Sequence, residues 1–388
     1  MINKKNKTII YVNFSPYENA GNILDFILEE FENVILFSFN FHKLGKNQKP
    51  STMQIFKKGN LINSHPLFQL SFPSSLVFLM LPLRSFIMLF QLIVNTFKIK
   101  KTYKKIDIYF TVNAYTAWIG NMLRTFKLVE KTVFWVWDYY PPLHENKLVS
   151  LMLWLYWQFD KIGSQSDRLV FLNKRLQDLR KDIGIFPREK NYPIVPIGTD
   201  PKKIIYKNQK DMSVTIGFLG VIKKTQGLDL IFDNASKIVD SFPDITLKVI
   251  GSGPDLEYFK KRAKKTSFNA KFYGFVPGKK DVDKILSECT IGIALYLPEK
   301  SNVSNYTDNS KIKDYLCYGL PVITTNIPSS EEVKRKKAGI IINYYKPQEF
   351  INAIKIITSN YKNFQRNAKI LSEKYYFKKI YPEIFKFN

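Results

Sequence analysis

The chain has 388 residues and 45% of them are hydrophobic, so we expect two globular domains rather than a disordered protein. Its formal net charge of +26 favours anionic partners, such as nucleotide phosphates, acidic lipid surfaces or nucleic acid, without choosing among them. The cysteines and histidines have neither metal-ligand nor disulfide spacing, which argues against a zinc enzyme: Cys289, Cys317, His42, His65 and His144.

The first half of the chain alternates short apolar runs with amphipathic stretches. The opening apolar run is too short for a secretory signal. It is the first of several predicted strands, at 8–14, 34–39, 107–112, 132–137 and 168–172. Apolar residues recur at helical spacing over 22–34, between the first two strands. This alternation predicts βαβ units, a mostly parallel sheet and a first domain over residues 1–197.

One long apolar run, residues 76–97, has the length of a membrane-spanning helix. Pro82 and Arg84 in its middle argue against a spanning helix, and a crossing here would split the first sheet. Two interpretations remain open. The run is either a helix buried in the first domain, or a helix lying partly in a membrane surface, with the basic residues 98–105 against anionic headgroups.

The second half restarts the same alternation after an interruption by prolines and a glycine at 191–203. Strands are predicted at 214–220, 246–251, 270–275 and 290–295, with helices between them at 227–239, 254–265 and 280–289. We therefore expect a hinge at 198–212 and a second domain at 213–364. The remaining residues, 365–388, are predicted to be helical and to cross back to the first domain.

Four glycine-rich turns follow predicted strands, where backbone N–H groups can approach phosphates. They lie at 17–23, 217–227, 249–255 and 272–278. Each turn alone is a weak signal, but the order of three of them within one domain is informative. These turns supply candidate nucleotide-binding residues: Gly21, Asn22, Gly220, Gly251, Gly253, Phe275 and Val276.

The motifs of the second domain resemble those of family 4 (group 1) glycosyltransferases. They are "GFLGVIKKTQGLDLIFDNA", "LKVIGSGPDLEYF", "KFYGFVPGKKDVDKILSECTIGIAL" and "NSKIKDYLCYGLPVITTN", in the family's order and spacing. "DRLVFLNKRLQDLRKDIGI" and "IVPIGTD" extend the resemblance to the end of the first domain. It implies an α/β chain of the GT-B architecture, with two Rossmann-like domains facing a central cleft. It also implies sugar transfer from a nucleotide diphosphate donor, with retention of configuration and without a metal or other cofactor.

The same resemblance implies roles for the helix that starts near Asn309. Asp314 stands where the family has a glutamate that holds the ribose hydroxyls, and a carboxylate can accept two hydrogen bonds from such a diol. Gly319 ends this helix, a common role for glycine. Asn309 and Lys311, at the helix start, are further candidates for binding the donor.

The chain also departs from the family pattern. Val221 and Gln226 occupy the positions of the arginine and lysine that hold the diphosphate, so Lys223, Lys224 and Lys311 are the candidates to replace them. Tyr306 replaces the first residue of the family's acidic pair, and Asp308 nearby is a candidate catalytic residue. In the first domain, Asp138 and Tyr139 are candidates for contacting the acceptor or the donor sugar.

The leading hypothesis is a glycosyltransferase of cell-envelope polysaccharide or glycolipid synthesis. Its acceptor would be a glycan or a polyprenyl- or lipid-linked sugar. It would be cytoplasmic and peripheral at the inner face of the cell membrane, on an anionic surface, and no nucleic-acid motif is present. The alternatives are a nucleotide-sugar 2-epimerase with this fold, a basic nucleic-acid- or membrane-binding protein without activity, and an inactive transferase.

Overall fold

The computed structural model describes residues 6–14, 17–40, 50–70, 80–137, 139, 146–186, 192–201, 213–299 and 302–387. They form two compact units, one of Met1–Pro196 with Ile380–Asn388 and one of Ile197–Lys379. Each unit is an α/β sandwich around its own sheet, as the sequence predicts. Within the described ranges, no helix combines the length and the apolarity that crossing a bilayer requires.

The first unit contains a seven-stranded sheet in the order β4-β3-β2-β1-β5-β6-β7. Its strands are β1 (Thr8–Phe14), β2 (Asn33–Phe39), β3 (Thr52–Lys57), β4 (Asn60–Pro66), β5 (Ile108–Thr111), β6 (Lys131–Val136) and β7 (Arg168–Phe171). Its helices are α1 (Ile23–Glu30), α2 (Leu81–Tyr103), α3 (Ala114–Thr125), α4 (Lys147–Gly163) and α5 (Lys174–Asp182). The helical run predicted from residue 76 therefore starts at Leu81 and extends to Tyr103. Residues 76–79 lie outside the described ranges.

Sequence reasoning missed the β3–β4 hairpin, which is antiparallel on an otherwise parallel sheet. Lys58 and Gly59, at its tip, both have positive φ (49° and 79°), as a tight hairpin turn requires. β4 is exposed along its whole length. It therefore lacks the apolar alternation by which strands are recognised.

The second unit contains a six-stranded parallel sheet in the order β10-β9-β8-β11-β12-β13. Its strands are β8 (Thr215–Leu219), β9 (Thr246–Ile250), β10 (Asn269–Gly274), β11 (Ile291–Ala294), β12 (Val322–Thr324) and β13 (Gly339–Ile341). Its helices are α6 (Asp229–Asp233), α7 (Ala235–Ser241), α8 (Leu256–Lys264), α9 (Lys279–Ser287), α10 (Ser310–Cys317), α11 (Ser330–Arg335), α12 (Pro347–Ser359), α13 (Tyr361–Lys374) and α14 (Phe377–Ile380).

Alternating residues of each strand fill the two sides of this sheet. Ile291 and Ile293 belong to one buried cluster, and Ala294 belongs to the cluster on the opposite side. The second cluster includes Leu316 of α10 and Leu371 of α13. Apolar runs without polar alternation are typical of parallel strands covered on both faces, which is why the sequence revealed them.

Residues near both ends of the chain complete the first unit. Phe385 is buried, and its ring packs 5.4 Å from that of Phe31 and 5.1 Å from that of Phe110 between centroids. The Tyr381 hydroxyl donates to the Gly21 carbonyl at 2.6 Å. The sequence placed the returning segment at 365–388, whereas α13 packs in the second unit and the return to the first unit starts at Ile380.

Candidate functional site

The order of strands in the second sheet reverses between β8 and β11, where parallel sheets form a ligand crevice. Tyr315 of α10 joins the carboxyl ends of these two strands. Its hydroxyl accepts the Leu219 N–H at 2.8 Å and donates to the Ile293 carbonyl at 3.0 Å. A Cβ at Gly292 would lie 2.3 Å from the Tyr315 ring, so the glycine allows this approach. α10 is thereby held at the crevice.

Lys311 brings a buried amine to this point. The residue is 8% exposed, and its Nζ donates to Gln226 Oε1 at 2.7 Å. The Nζ lies 4.5 Å from the ring centroid of Phe218 and 4.9 Å from that of Tyr296. A Cβ at residue 220 would come within 3.1 Å of the amine, so Gly220 leaves room for it.

The protonation state of the Lys311 amine depends on its burial and on the charges near it. Burial, together with the positive charge of Lys223, lowers the pKa of Lys311 from 10.5 to about 7. An anion bound beside the amine would stabilise the charged form and raise this pKa again. The amine can therefore gain a proton when an anion binds beside it.

The other two lysines of the glycine-rich loop differ in placement. Lys223 is exposed, and its charge acts on Lys311. Lys224 Nζ lies 4.6 Å from the ring centroid of Tyr258 on α8, and its backbone N–H donates to Asp255 at 2.9 Å. Lys223 thus lies near enough for its charge to act on Lys311, whereas Lys224 is directed towards α8.

The glycines at the ends of β8 and β9 pack the two loops against each other. A Cβ at Gly251 would lie 1.8 Å from the Gly220 carbonyl oxygen, and one at Gly253 would lie 2.2 Å from that of Ile222. The Ile222 N–H also donates to the Ser252 carbonyl at 3.0 Å. Loop packing alone accounts for these glycines. Contact between their amides and a phosphate stays a prediction.

Asp308 is buried in an ion pair that ties α10 to the start of the second unit. Its Oδ1 lies 3.1 Å from Lys313 Nζ, and its Oδ2 accepts the Ile197 N–H at 2.8 Å. Burial alone would lower the pKa of Lys313, but the partner carboxylate raises it. Both carboxylate oxygens are thus engaged within the second unit, and the catalytic role of Asp308 stays a prediction.

The remaining candidates of the second unit lie on α10 and after β10. Asp314 is partly buried on α10, and its charge acts on the hydroxyls of Tyr315 and Tyr318. Asn309 precedes α10, and its amide donates to the Ser304 carbonyl at 3.2 Å.

Phe275 and Val276 follow β10, which lies two strands from β8. At the usual strand spacing, this places them about 10 Å from the crevice. Tyr306, in the position of the family's first acid, is partly buried.

In the first unit, the turn after β1 also reaches the point where strand order reverses, between β1 and β5. Gly21 and Asn22 there have φ of 63° and 65°, the left-handed region that glycine and asparagine tolerate. Tyr139 is buried, with its ring stacked 6.0 Å from that of Trp157. Asp138 lies outside the described residues, so its role stays a prediction.

Two other features bear on ligand binding. A concavity of about 730 Å³ in the first unit is lined by carboxylates of α1 and its surroundings, including Asp25, Glu29 and Glu32, which would repel a diphosphate. Across the described ranges, no group of three or more His, Cys, Asp or Glu residues is arranged to hold a metal ion.

Sequence reasoning missed Tyr315, Lys313 and the partnership of Gln226 with Lys311. Gly292 was the available signal, because a glycine inside an apolar strand indicates the close approach of another group. Gln226 occupies the position of a lysine in the family. In this structure its side-chain oxygen accepts a hydrogen bond from the amine of Lys311, on α10.

Comparison with known proteins supports the resemblance to glycosyltransferases. Residues 213–360 match the family model described as glycosyl transferases group 1. An uncharacterized glycosyltransferase of Haemophilus influenzae is 22% identical over 253 residues, which cover 61% of this chain and 69% of that protein.

Sucrose-phosphate synthase of Thermosynechococcus elongatus has the same fold, with a TM-score of 0.69, 13% identity and 97% of each chain covered. The lipopolysaccharide outer core galactosyltransferase WaaB gives a TM-score of 0.61 at 14% identity, over 97% of this chain and 99% of that one.

Proposed function

We propose that this glycosyltransferase transfers a sugar from a nucleoside diphosphate donor. The chain has the GT-B fold, and its second unit contains the match to the group 1 family. The observation that carries the proposal is the buried, Gln226-bound amine of Lys311 at the strand-order reversal. When the bond between the sugar and the diphosphate breaks, negative charge develops on the leaving group. A cation at that point lowers the energy of the transition state.

In this proposal, Lys311 and Lys223 receive the diphosphate, and the amide groups at the start of α10 add a favourable dipole. Asp314, one turn along α10, binds the ribose hydroxyls. Since protein cations would neutralise the leaving group, we propose that the reaction needs no metal. The resemblance to family 4 glycosyltransferases supports the further proposal that the reaction proceeds with retention. Turnover that is unchanged by EDTA, and a product with the donor's anomeric configuration by NMR, are the expected results.

The acceptor is proposed to be a glycan or a lipid-linked sugar of the cell envelope, at the inner face of the membrane. The name of WaaB, a lipopolysaccharide outer core galactosyltransferase, supports an envelope acceptor. Product formation from a donor panel with membrane-lipid extracts, compared with soluble glycans, tests this part.

The donor site is tested by calorimetry with nucleoside diphosphates and the matching nucleosides. Lys311→Met should weaken diphosphate binding by roughly 10- to 100-fold, since a charged hydrogen bond contributes about 1.5–3 kcal/mol. It should leave nucleoside binding unchanged, whereas Asp314→Ala should weaken both. Lys224→Ala is the matched control, because that amine lies over Tyr258 and should contribute little. If wild-type protein binds no nucleoside diphosphate, or Lys311→Met binds it normally, the proposal is wrong.

A further inference from the structure

Helix α2 of the first unit is apolar on two opposite sides. Met88, Leu92 and Ile99 are buried against the sheet side of the unit. On the other side, Phe86 is 65% exposed and Phe90 is 61% exposed. A helix that is apolar all round is normally enclosed by protein or lipid. Within the described residues, one side of α2 therefore lacks the protein cover that its apolar composition requires.

The polar residues of α2 do not relieve this exposure, because they are used inside the unit. Arg84 is buried and donates to the Leu70 carbonyl at 3.3 Å. Gln91 accepts the Phe68 N–H at 2.7 Å and donates to the Phe68 carbonyl at 3.1 Å. The polar stripe that the sequence showed thus faces the segment before the helix, and phenylalanines are left towards solvent.

Helix α4 repeats this arrangement independently. Leu151, Trp154 and Leu155 are exposed, with Trp154 at 49%. Its buried positions include Asp160, which pairs with Arg180 of α5 at 2.7 Å between Oδ1 and Nη2. The buried ion pair fixes which side of α4 faces inwards, so the leucines and the tryptophan are held outwards.

The two helices are neighbours around one side chain of α3. The Tyr115 hydroxyl donates to the Ser85 carbonyl of α2 at 2.9 Å, and its ring packs edge-on against Phe159 of α4, 4.9 Å between centroids. Both helices therefore contact Tyr115, and the exposed apolar residues of each lie within about two helical turns of that contact. We define the apolar face as Leu83, Phe86, Phe90, Leu151, Trp154 and Leu155.

Lysines border the apolar face. At 100° per residue, Lys101 continues the line of Leu83 and Phe90 along α2, one turn beyond the exposed Phe97. Four more lysines lie around this end of the helix: Lys98, Lys100, Lys104 and Lys105. Lys147 begins α4. An apolar stripe ending in a basic cluster is the pattern of helices that lie in the plane of an anionic bilayer surface.

We propose that the apolar face docks the protein on an anionic lipid bilayer, with the aromatic side chains entering the acyl boundary and the lysines contacting headgroup phosphates. Charge complementarity selects this occupant. An anionic headgroup layer supplies the charge opposite to the lysines, whereas the same basic face of a second copy does not. The inference rests on the first unit and holds whether or not the proposed transfer reaction does.

The test is sedimentation of the full chain with vesicles of phosphatidylcholine alone or mixed with phosphatidylglycerol. Binding to the mixed vesicles should exceed binding to the neutral ones and should fall with salt. The triple variant Phe86→Ser, Phe90→Ser, Trp154→Ser should bind the mixed vesicles more weakly by on the order of tenfold or more.

The matched control changes three equally exposed apolar residues of the second unit, Tyr345→Ser, Ile356→Ser and Ile370→Ser, and should bind like wild type. Should the triple variant fail to fold, replacement of Lys98, Lys100, Lys101, Lys104 and Lys105 by glutamine provides the second test, with the same loss expected.

Three results would overturn the proposal. The first is equal binding to neutral and anionic vesicles, or no binding to either. The second is unchanged binding by the triple variant or by the lysine variant. The third is a wild-type dimer in sedimentation velocity that the triple variant converts to monomers, which would make the apolar face an interface between copies of the chain.

Discussion

At the scale of single residues, Lys311 shows how a binding site can be set up by burial. Its amine has a hydrogen-bond partner, two aromatic rings and a glycine around it, and within the described residues no carboxylate forms an ion pair with it. The free site therefore holds an amine with a pKa of about 7. In the proposed function, the diphosphate of the donor supplies the missing negative charge.

This predicts that diphosphate binding takes up a proton. Above about pH 7 the free amine is mostly neutral, and the bound anion raises its pKa, so protonation accompanies binding. Affinity should consequently decline as the pH rises through and above that value. Calorimetry in two buffers of different ionisation enthalpy measures the uptake, which Lys311→Met should abolish. Equal heats in both buffers above pH 7 for the wild type would contradict the assignment.

The residue scale is also where the sequence predicted least. Lys223, Lys224 and Lys311 looked equivalent, and the structure separates them by contacts to residues distant in sequence. The same holds for Gly251 and Gly253, whose close partners belong to the loop after β8. A single sequence contains the candidates, but it does not contain the distances that distinguish them.

At the scale of elements, the strands were the predictable part. β1, β8 and β11 are apolar runs, because both of their faces are covered. β4 was not predicted because it is exposed and lacks an apolar pattern. The sequence also did not show which side of α2 is buried, because the polar residues of α2 face Phe68 and Leu70. Patterns reveal an element, whereas its neighbours decide which side is covered.

The position of α10 depends on the buried pair of Lys313 and Asp308. Lys313→Met would leave a buried carboxylate without its cation and should cost about 3–5 kcal/mol in the free energy of unfolding. Adding Asp308→Asn should recover much of that loss. Urea unfolding followed by far-UV circular dichroism measures both changes.

The same variants decide the role predicted for Asp308 from the sequence. If it acts only through α10, the double variant should regain turnover together with stability. A double variant that is stable but inactive would instead support a catalytic carboxylate at this position.

At the scale of the whole molecule, two units with separate cores are expected to unfold as separately observable transitions. All five tryptophans lie in the first unit, at positions 118, 135, 137, 154 and 157. Tryptophan fluorescence therefore reports on that unit alone, whereas far-UV circular dichroism reports on both.

Phe385→Ala should destabilise the first unit selectively. The ring is buried among Phe26, Phe31 and Phe110, and truncation of such a residue costs about 3–5 kcal/mol. The fluorescence transition should move to lower urea, and the remaining dichroism transition should not. Phe126→Ala, at a site 67% exposed, is the control and should change little. Equal shifts of both transitions would mean that the units unfold together.

The aromatic contacts of Phe385 and Tyr381 also bear on the order in which the protein matures on the ribosome. Residues 197–379 are translated before residues 380–388, so the whole second unit is made while the pocket beside Phe26, Phe31 and Phe110 still lacks its last rings. The N-terminal domain of a protein usually completes its fold first. Here the order is reversed, because the core of the first unit is completed only after the second unit has been translated. A nascent chain stalled before Ile380 should present an unfinished leading half to chaperones, next to a following half that already has all of its residues.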